Sequence, residues 1–166
     1  LSGTISDFHK KNLNLWLQEA ANSFLKLSDI ENAVIDKFDY DGMDAYLGFD
    51  YSMSSDNTAL AFVIPYVDKT GRKWHVIQHS FIPWQRAGSI EAKEKQDGIA
   101  YRELAKKGYC TITDHEQGLI STEQVFNWLV DFVSEHRLKF VFFCYDAMGV
   151  NEFIKRLEYN TSYPLQ

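Results

Sequence analysis

Three strand-length runs follow one another closely between Ala45 and Trp84: "AYLGFDYS", "TALAFVIPYVD" and "WHVIQHSFIPW". Consecutive strands with short connections can only fold back on one another, because a parallel return needs a crossover of a dozen or more residues. The turn "DKTGRK" places Gly71 where a hairpin calls for a residue that tolerates positive φ. The third run is rich in β-branched and aromatic residues, as a pleated surface prefers. The stretch therefore predicts an antiparallel meander.

Beyond Trp84 the pattern turns helical. "GSIEAKEKQDGIAYRELAKKGY" predicts a helix or helix pair broken near Gly98 and ended by Gly108. "CTITD" reads as a short extended piece. "STEQVFNWLVDFVSEHR" predicts a helix with Ser121 at the N-cap, Gln124 completing a capping box, and Val125, Trp128, Leu129 and Phe132 on its core face. "LKFVFFCYD" is apolar through its middle, which predicts a strand buried on both faces. "VNEFIKRLEY" predicts a last helix, and "SYPLQ" the opening of a further strand. The fold class is α/β: a mixed sheet, meander plus parallel strands, flanked by helices.

A chain of 166 residues with 45% hydrophobic content can build one substantial core and is not disordered. No apolar run approaches the roughly 18–20 residues that cross a bilayer, so no membrane partner is expected. "LSGTISDFHKKNLNLWLQ" lacks the basic start and apolar core of a signal peptide. It also lacks an initiating Met, so a piece of a longer protein is expected. In residues 10–34, Leu13, Trp16, Leu17, Ala20, Phe24 and Leu25 fall on one helical face, with Ser28 and Asp29 capping a further turn. "DKFDYDGMD" follows as an acidic connector. Residues 1–44 thus read as a helical arm and linker, and residues 45–166 as the main domain. Cys110 and Cys144 show no metal-ligand spacing and read as buried thiols in a reducing compartment.

Charge is unevenly placed. Eight acids face one base from Ser28 to Thr58, whereas nine Lys or Arg face four acids from Lys69 to Lys107. An acidic pocket beside a basic track for a polyanion has this distribution, and so do two ordinary solvated faces.

Two acids end strands. Asp50 closes the first run and Asp146 the late apolar one. In mixed α/β sheets functional groups gather where strands leave the sheet. If these two strands are parallel neighbours, both carboxylates emerge together and repel unless a cation lies between them. Mg²⁺ suits such a site, since it takes oxygen ligands and often only one or two carboxylates. Two such ions roughly 3.5–4 Å apart can activate a water and stabilise the leaving oxygen in phosphodiester hydrolysis, so a two-metal site is expected. Each acid also has a local reading: Asp50 as a turn residue, Asp146 as a helix N-cap. Asp56 is a further candidate metal ligand, or an Asx-turn residue within "SDNT".

This order of elements and acids resembles the ribonuclease H-like fold. "YLGFDYSMSSDNTALAFVIP", "FIPW", "YRELAKKGYCTIT" and "VFFCYDAMGVNEFIKRLE" look like the nuclease region of tailed-phage terminase large subunits, and "KKNLNLWLQEAANSFLK" is similar to the segment that joins that family's ATPase domain to its nuclease. The resemblance implies a metal-dependent endonuclease cutting double-stranded DNA during genome packaging in the cytoplasm of an infected bacterium. It implies Mg²⁺ or Mn²⁺ as cofactor, Asp50 and Asp146 as catalytic metal ligands, and Asp56 near the metals. It implies an ATPase domain, a small terminase subunit and a portal as partners. The family's third core acid is expected beyond Gln166, which makes the nuclease domain C-terminally incomplete, and no GxxxxGK[ST] marks an ATPase within the chain.

Arg86, Lys93, Lys95, Arg102, Lys106 and Lys107 form a candidate DNA-binding track, or a solvated helix face. His75 and His79, four apart in a strand, share a face but lack an obvious third ligand. Ser52, Ser54 and Ser55 lack a GxSxG elbow. Two other readings stand beside the nuclease. "GFDYSMSSDNTAL" also resembles the phosphate loop of actin-like kinases and ATPases, although Tyr51, Ser52 and Met53 replace the expected Gly. The chain also reads as a non-catalytic docking module of the packaging machinery.

Overall fold

The computed structural model describes residues 25–35, 37–54, 56–146 and 150–163, and the chain divides after Asp39 into two compact units. In the first, helix α1 (Leu27–Ala33) follows Lys26, which makes no side-chain cap bond. Ser28 and Asp29 therefore sit inside the first turn, not at the cap. Asp29 there meets the positive end of the helix dipole. The rest of the predicted arm, residues 10–24, lies outside the described residues.

The second unit is built on a five-stranded sheet of order β4-β3-β2-β1-β5. Its strands are β1 (Asp44–Asp50), β2 (Thr58–Asp68), β3 (Gly71–Ile82), β4 (Cys110–Ile112) and β5 (Lys139–Tyr145). β2 runs antiparallel to β1 and β3, while β5 is parallel to β1 and β4 to β3. The predicted mixed sheet is thus present, with the meander at its centre. The β2–β3 hairpin closes at the Asp68↔Gly71 pair. Gly71 has φ 119°, and the Asp68 carboxylate accepts from both the amide and the hydroxyl of Thr70.

Helices α2 (Ile90–Asp97), α3 (Tyr101–Lys106), α4 (Thr122–Glu135) and α5 (Asn151–Asn160) flank the sheet. The predicted break between α2 and α3 falls at Gly98, whose left-handed φ of 69° ends α2. Strict alternation buries Thr58, Leu60, Phe62 and Ile64 of β2 on one face. There Phe62 meets Phe132 of α4 at 4.9 Å between ring centroids, Phe49 meets Phe153 of α5 at 4.7 Å, and His79 stacks on Trp128 at 4.0 Å. Full burial of each large apolar side chain here contributes about 1.5–3 kcal/mol. At the β3–β4 end of the opposite face, Ile82, Tyr101 and Cys110 are buried with Ile90 and Leu104 against them.

Three further expectations are corrected. β5 is not buried on both faces: Val141 is 44% exposed and Cys144 is exposed. It is an edge strand, and its register slips so that Ala45 pairs with Phe140 and Tyr46 with Phe142, leaving Val141 at the irregularity. An unbroken apolar run hides such a slip. For the same reason only Cys110, not Cys144, is a buried thiol. The capping box is half formed. Ser121 Oγ accepts from the Gln124 amide, but the Gln124 side chain donates to the Ile112 carbonyl and accepts from the Asp114 amide. It ties α4 to the end of β4.

Candidate active site

β1, β3, β4 and β5 all point the same way, so their C-terminal ends share one edge of the sheet. Asp50 is the last residue of β1 and Asp146 the first after β5. The final pair of the ladder between them is Phe49↔Tyr145. Asp50 and Asp146 therefore follow at the same level on neighbouring strands, whose spacing is about 4.8 Å. Both are exposed. Phe49 turns into the core, with its ring near those of Phe143 and Phe153. Strand alternation thus sends Asp50 to the opposite face, which explains how a hydrophobic strand ends on an acid without burying it. On its other side Asp50 still pairs with Ala59 of β2, so its backbone is held from within the sheet.

The loop from Tyr51 to Asn57 is closed at its neck. The Ser52 amide donates to Thr58 Oγ1 at 3.0 Å, the Thr58 hydroxyl donates to the Ser52 carbonyl at 2.9 Å, and the Asp56 amide donates to Ser52 Oγ at 3.1 Å. Thr58 is fully buried, a polar residue made tolerable by these bonds. Beyond the neck, Asn57 Nδ2 donates to the Tyr101 hydroxyl at 3.4 Å, Tyr101 donates to Asp97 at 2.8 Å, and Lys93 pairs with Asp97 at 2.9 Å. Lys93 also lies over the Tyr101 ring. Burial alone would raise the Asp97 carboxyl, but the bonds from Lys93 and Tyr101 outweigh it and hold it below its usual value.

Two cavities flank the loop. The larger, about 570 Å³, is lined by Tyr51, Met53, His115, Ser121, Glu123 and Glu152 among others. Burial, helped by Glu152, raises the Tyr51 phenol. The smaller, about 210 Å³, gathers Ser54, Asp56, Trp84, Arg86 and Lys93. Neither is lined by Asp50 or Asp146.

The candidate residues thus fall into three groups. Asp50 and Asp146 stand at adjacent strand ends. Asp56, Arg86 and Lys93 share the small cavity. Arg102 is engaged elsewhere: its guanidinium bonds Glu94 at 2.8 and 3.0 Å and Glu91 at 2.8 Å. Lys106 pairs with Glu103 at 2.9 Å. Lys95 and Lys107 are exposed. The Asn57–Tyr101–Asp97 link has no trace in the sequence, because Asn57 and Tyr101 lie 44 residues apart. His79 is a core residue. It is 5% exposed and within 2.8 Å of Thr111 Oγ1, and burial pulls its imidazole down to about 4.

Among the described residues no three His, Cys, Asp or Glu side chains converge as a metal cage. The two carboxylates at the sheet edge match a smaller demand. Hard oxygen donors in that number suit Mg²⁺ or Mn²⁺, with water completing the shell. No described helix is long and apolar enough to cross a membrane.

A family model described as terminase large subunit, endonuclease domain, matches residues 3–166. Nothing matches among the curated proteins or among the solved structures.

Proposed function

Because the chain belongs to the family of terminase large subunit endonuclease domains, we propose that it cuts double-stranded DNA at the sheet edge formed by Asp50 and Asp146. The observation that carries this reading is the parallel β1–β5 pairing, whose last rung precedes both acids. The cofactor is Mg²⁺ or Mn²⁺, held by these two carboxylates. When bound, such an ion draws charge from the scissile phosphate and lowers the pKa of an attacking water. Asp50 contributes a carboxylate on a backbone fixed by the β2 ladder. Asp146 contributes one from the neighbouring strand end. Both side chains stand exposed, where a duplex too wide for any cavity can reach them. Asp56 lies with two cations in the small cavity and is not needed in this ligand pair.

Lys93, Lys95, Lys107 and Arg86 supply positive charge for the DNA backbone. Lys93, Arg102 and Lys106 contribute less net charge, because Asp97 and neighbouring glutamates offset them. In this reading the chain works in genome packaging, in the cytoplasm of an infected bacterium. An ATPase domain, a small terminase subunit and a portal are its partners.

Plasmid nicking with Mg²⁺ or Mn²⁺ tests the proposal. Asp50→Ala and Asp146→Ala are each expected to lower cutting at least roughly 100-fold, since loss of even an outer-shell metal partner costs about 10–100-fold. Circular dichroism should remain that of the parent. If both variants cut at the parent rate, the site lies elsewhere.

A further inference from the structure

The small cavity opens at the same sheet edge as Asp50 but follows β3, with β2 lying between. Two strand spacings put it roughly 10 Å from Asp50, and a third puts it roughly 14 Å from Asp146. On the premise that the chain cuts DNA, we propose that this cavity is a subsite for one backbone phosphate beside the one that is cut.

Four observations support it. At about 210 Å³ the cavity is smaller than the roughly 300–1,000 Å³ of a site for a drug-sized ligand, and it suits a single phosphate group. Lys93 reaches it with a side chain only 12% exposed, held by Asp97. Asp97 is itself fixed by Tyr101. A cation already held in place loses little conformational freedom when it meets an anion. Arg86 is exposed, with no hydrogen bond or ion pair to another described residue, and the turn that carries it (Gln85–Ala87) is anchored by the Trp84 and Gln85 amides on the Gly118 carbonyl. Finally, two cations and one carboxylate, Asp56, line the cavity, and Asp97 behind Lys93 offsets part of the lysine's charge. That balance favours a singly charged phosphodiester over a doubly charged free phosphate. Trp84 also lines the cavity.

The test is equilibrium binding of a duplex oligonucleotide by the whole chain, with EDTA present and salt varied. Arg86→Ala is expected to weaken binding roughly five- to tenfold at 0.1 M salt, and to shrink the slope of log Kobs against log salt by about 1. Lys93→Met should do the same. Lys69→Ala, in the hairpin at the opposite end of the sheet, should leave the slope unchanged. Millimolar inorganic phosphate at constant ionic strength should not compete. Parent-like slopes in both cavity variants would overturn the subsite and leave the nuclease reading standing. An equal drop for Lys69→Ala, or displacement by inorganic phosphate, would also overturn it, the first as bulk charge and the second as a free-anion site. A parent chain that binds no duplex would remove the nuclease reading itself.

Discussion

Gly118 and His79 show how single residues hold this edge. Gly118 has φ 70°, and a Cβ there would lie 2.4 Å from Trp84 Cδ2. Its carbonyl also receives the Trp84 and Gln85 amides. Gly118→Ala is expected to destabilise the fold by about 2–4 kcal/mol, combining left-handed strain with overpacking against the indole. Urea melts will show this, and a loss under 1 kcal/mol would mean that Trp84 moves aside freely. His79 sets a pH dependence. Its native imidazole titrates near 4, whereas in the unfolded chain it takes up a proton below about 6.5. The unfolded state therefore binds more protons between these values. Stability is full above about pH 6.5 and is lost as pH falls toward 4, by at most about 3 kcal/mol. Burial lowers His75 too, with the same sign. His79→Phe should flatten the stability slope between pH 6.5 and 5 without abolishing it. An unchanged slope would exclude His79 as its main source.

At the scale of elements, one hydroxyl joins α3, α2 and the loop after Asp50. Tyr101 donates to Asp97 and accepts from Asn57, and burial is the largest cause of its raised pKa. Tyr101→Phe keeps the ring over Lys93 but removes both bonds. The expected cost is about 1–2 kcal/mol, measured by denaturation, with weaker DNA cutting as the loop loses its tie. A variant as stable as the parent would show that the 3.4 and 2.8 Å contacts contribute nothing net. The elements themselves were largely legible. Capping Ser121, the glycine between α2 and α3 and Gly71 in the β2–β3 turn are local signals, and each produced the element it predicts. What was not legible depends on distant partners. Gln124 reaches Ile112, Arg102 reaches Glu91 and Glu94 across the Gly98 turn, and Val141 falls at a register slip. Spacing within one segment carries no record of these.

Across the whole molecule, the meander followed by parallel additions places Asp50 and Asp146 at one edge although 95 residues separate them in the chain. That juxtaposition was readable because both acids break the pattern of their own strands. The small cavity was not, since it draws on three separate segments. If the two carboxylates hold a cation, folding and binding are linked. Mn²⁺ at about 100 times its Kd should add about 2.7 kcal/mol and raise Tm by roughly 5–10 °C. Asp50→Asn should lose this gain in a thermal melt while keeping the metal-free Tm. An equal rise in the variant would place the ion elsewhere.

β5 closes the sheet on the side of the acids, and among the described residues no further strand covers its outer edge. Its sequence, "KFVFFCY", is strongly β-prone with one charge, Lys139, at its start. Such an edge beside that sequence, without a strand partner among the described residues, is a template for self-pairing. The consequence is colloidal. In concentrated solution this edge is expected to favour self-association, with Lys139 as the gatekeeper against stacking, so Lys139→Ala should raise light scattering.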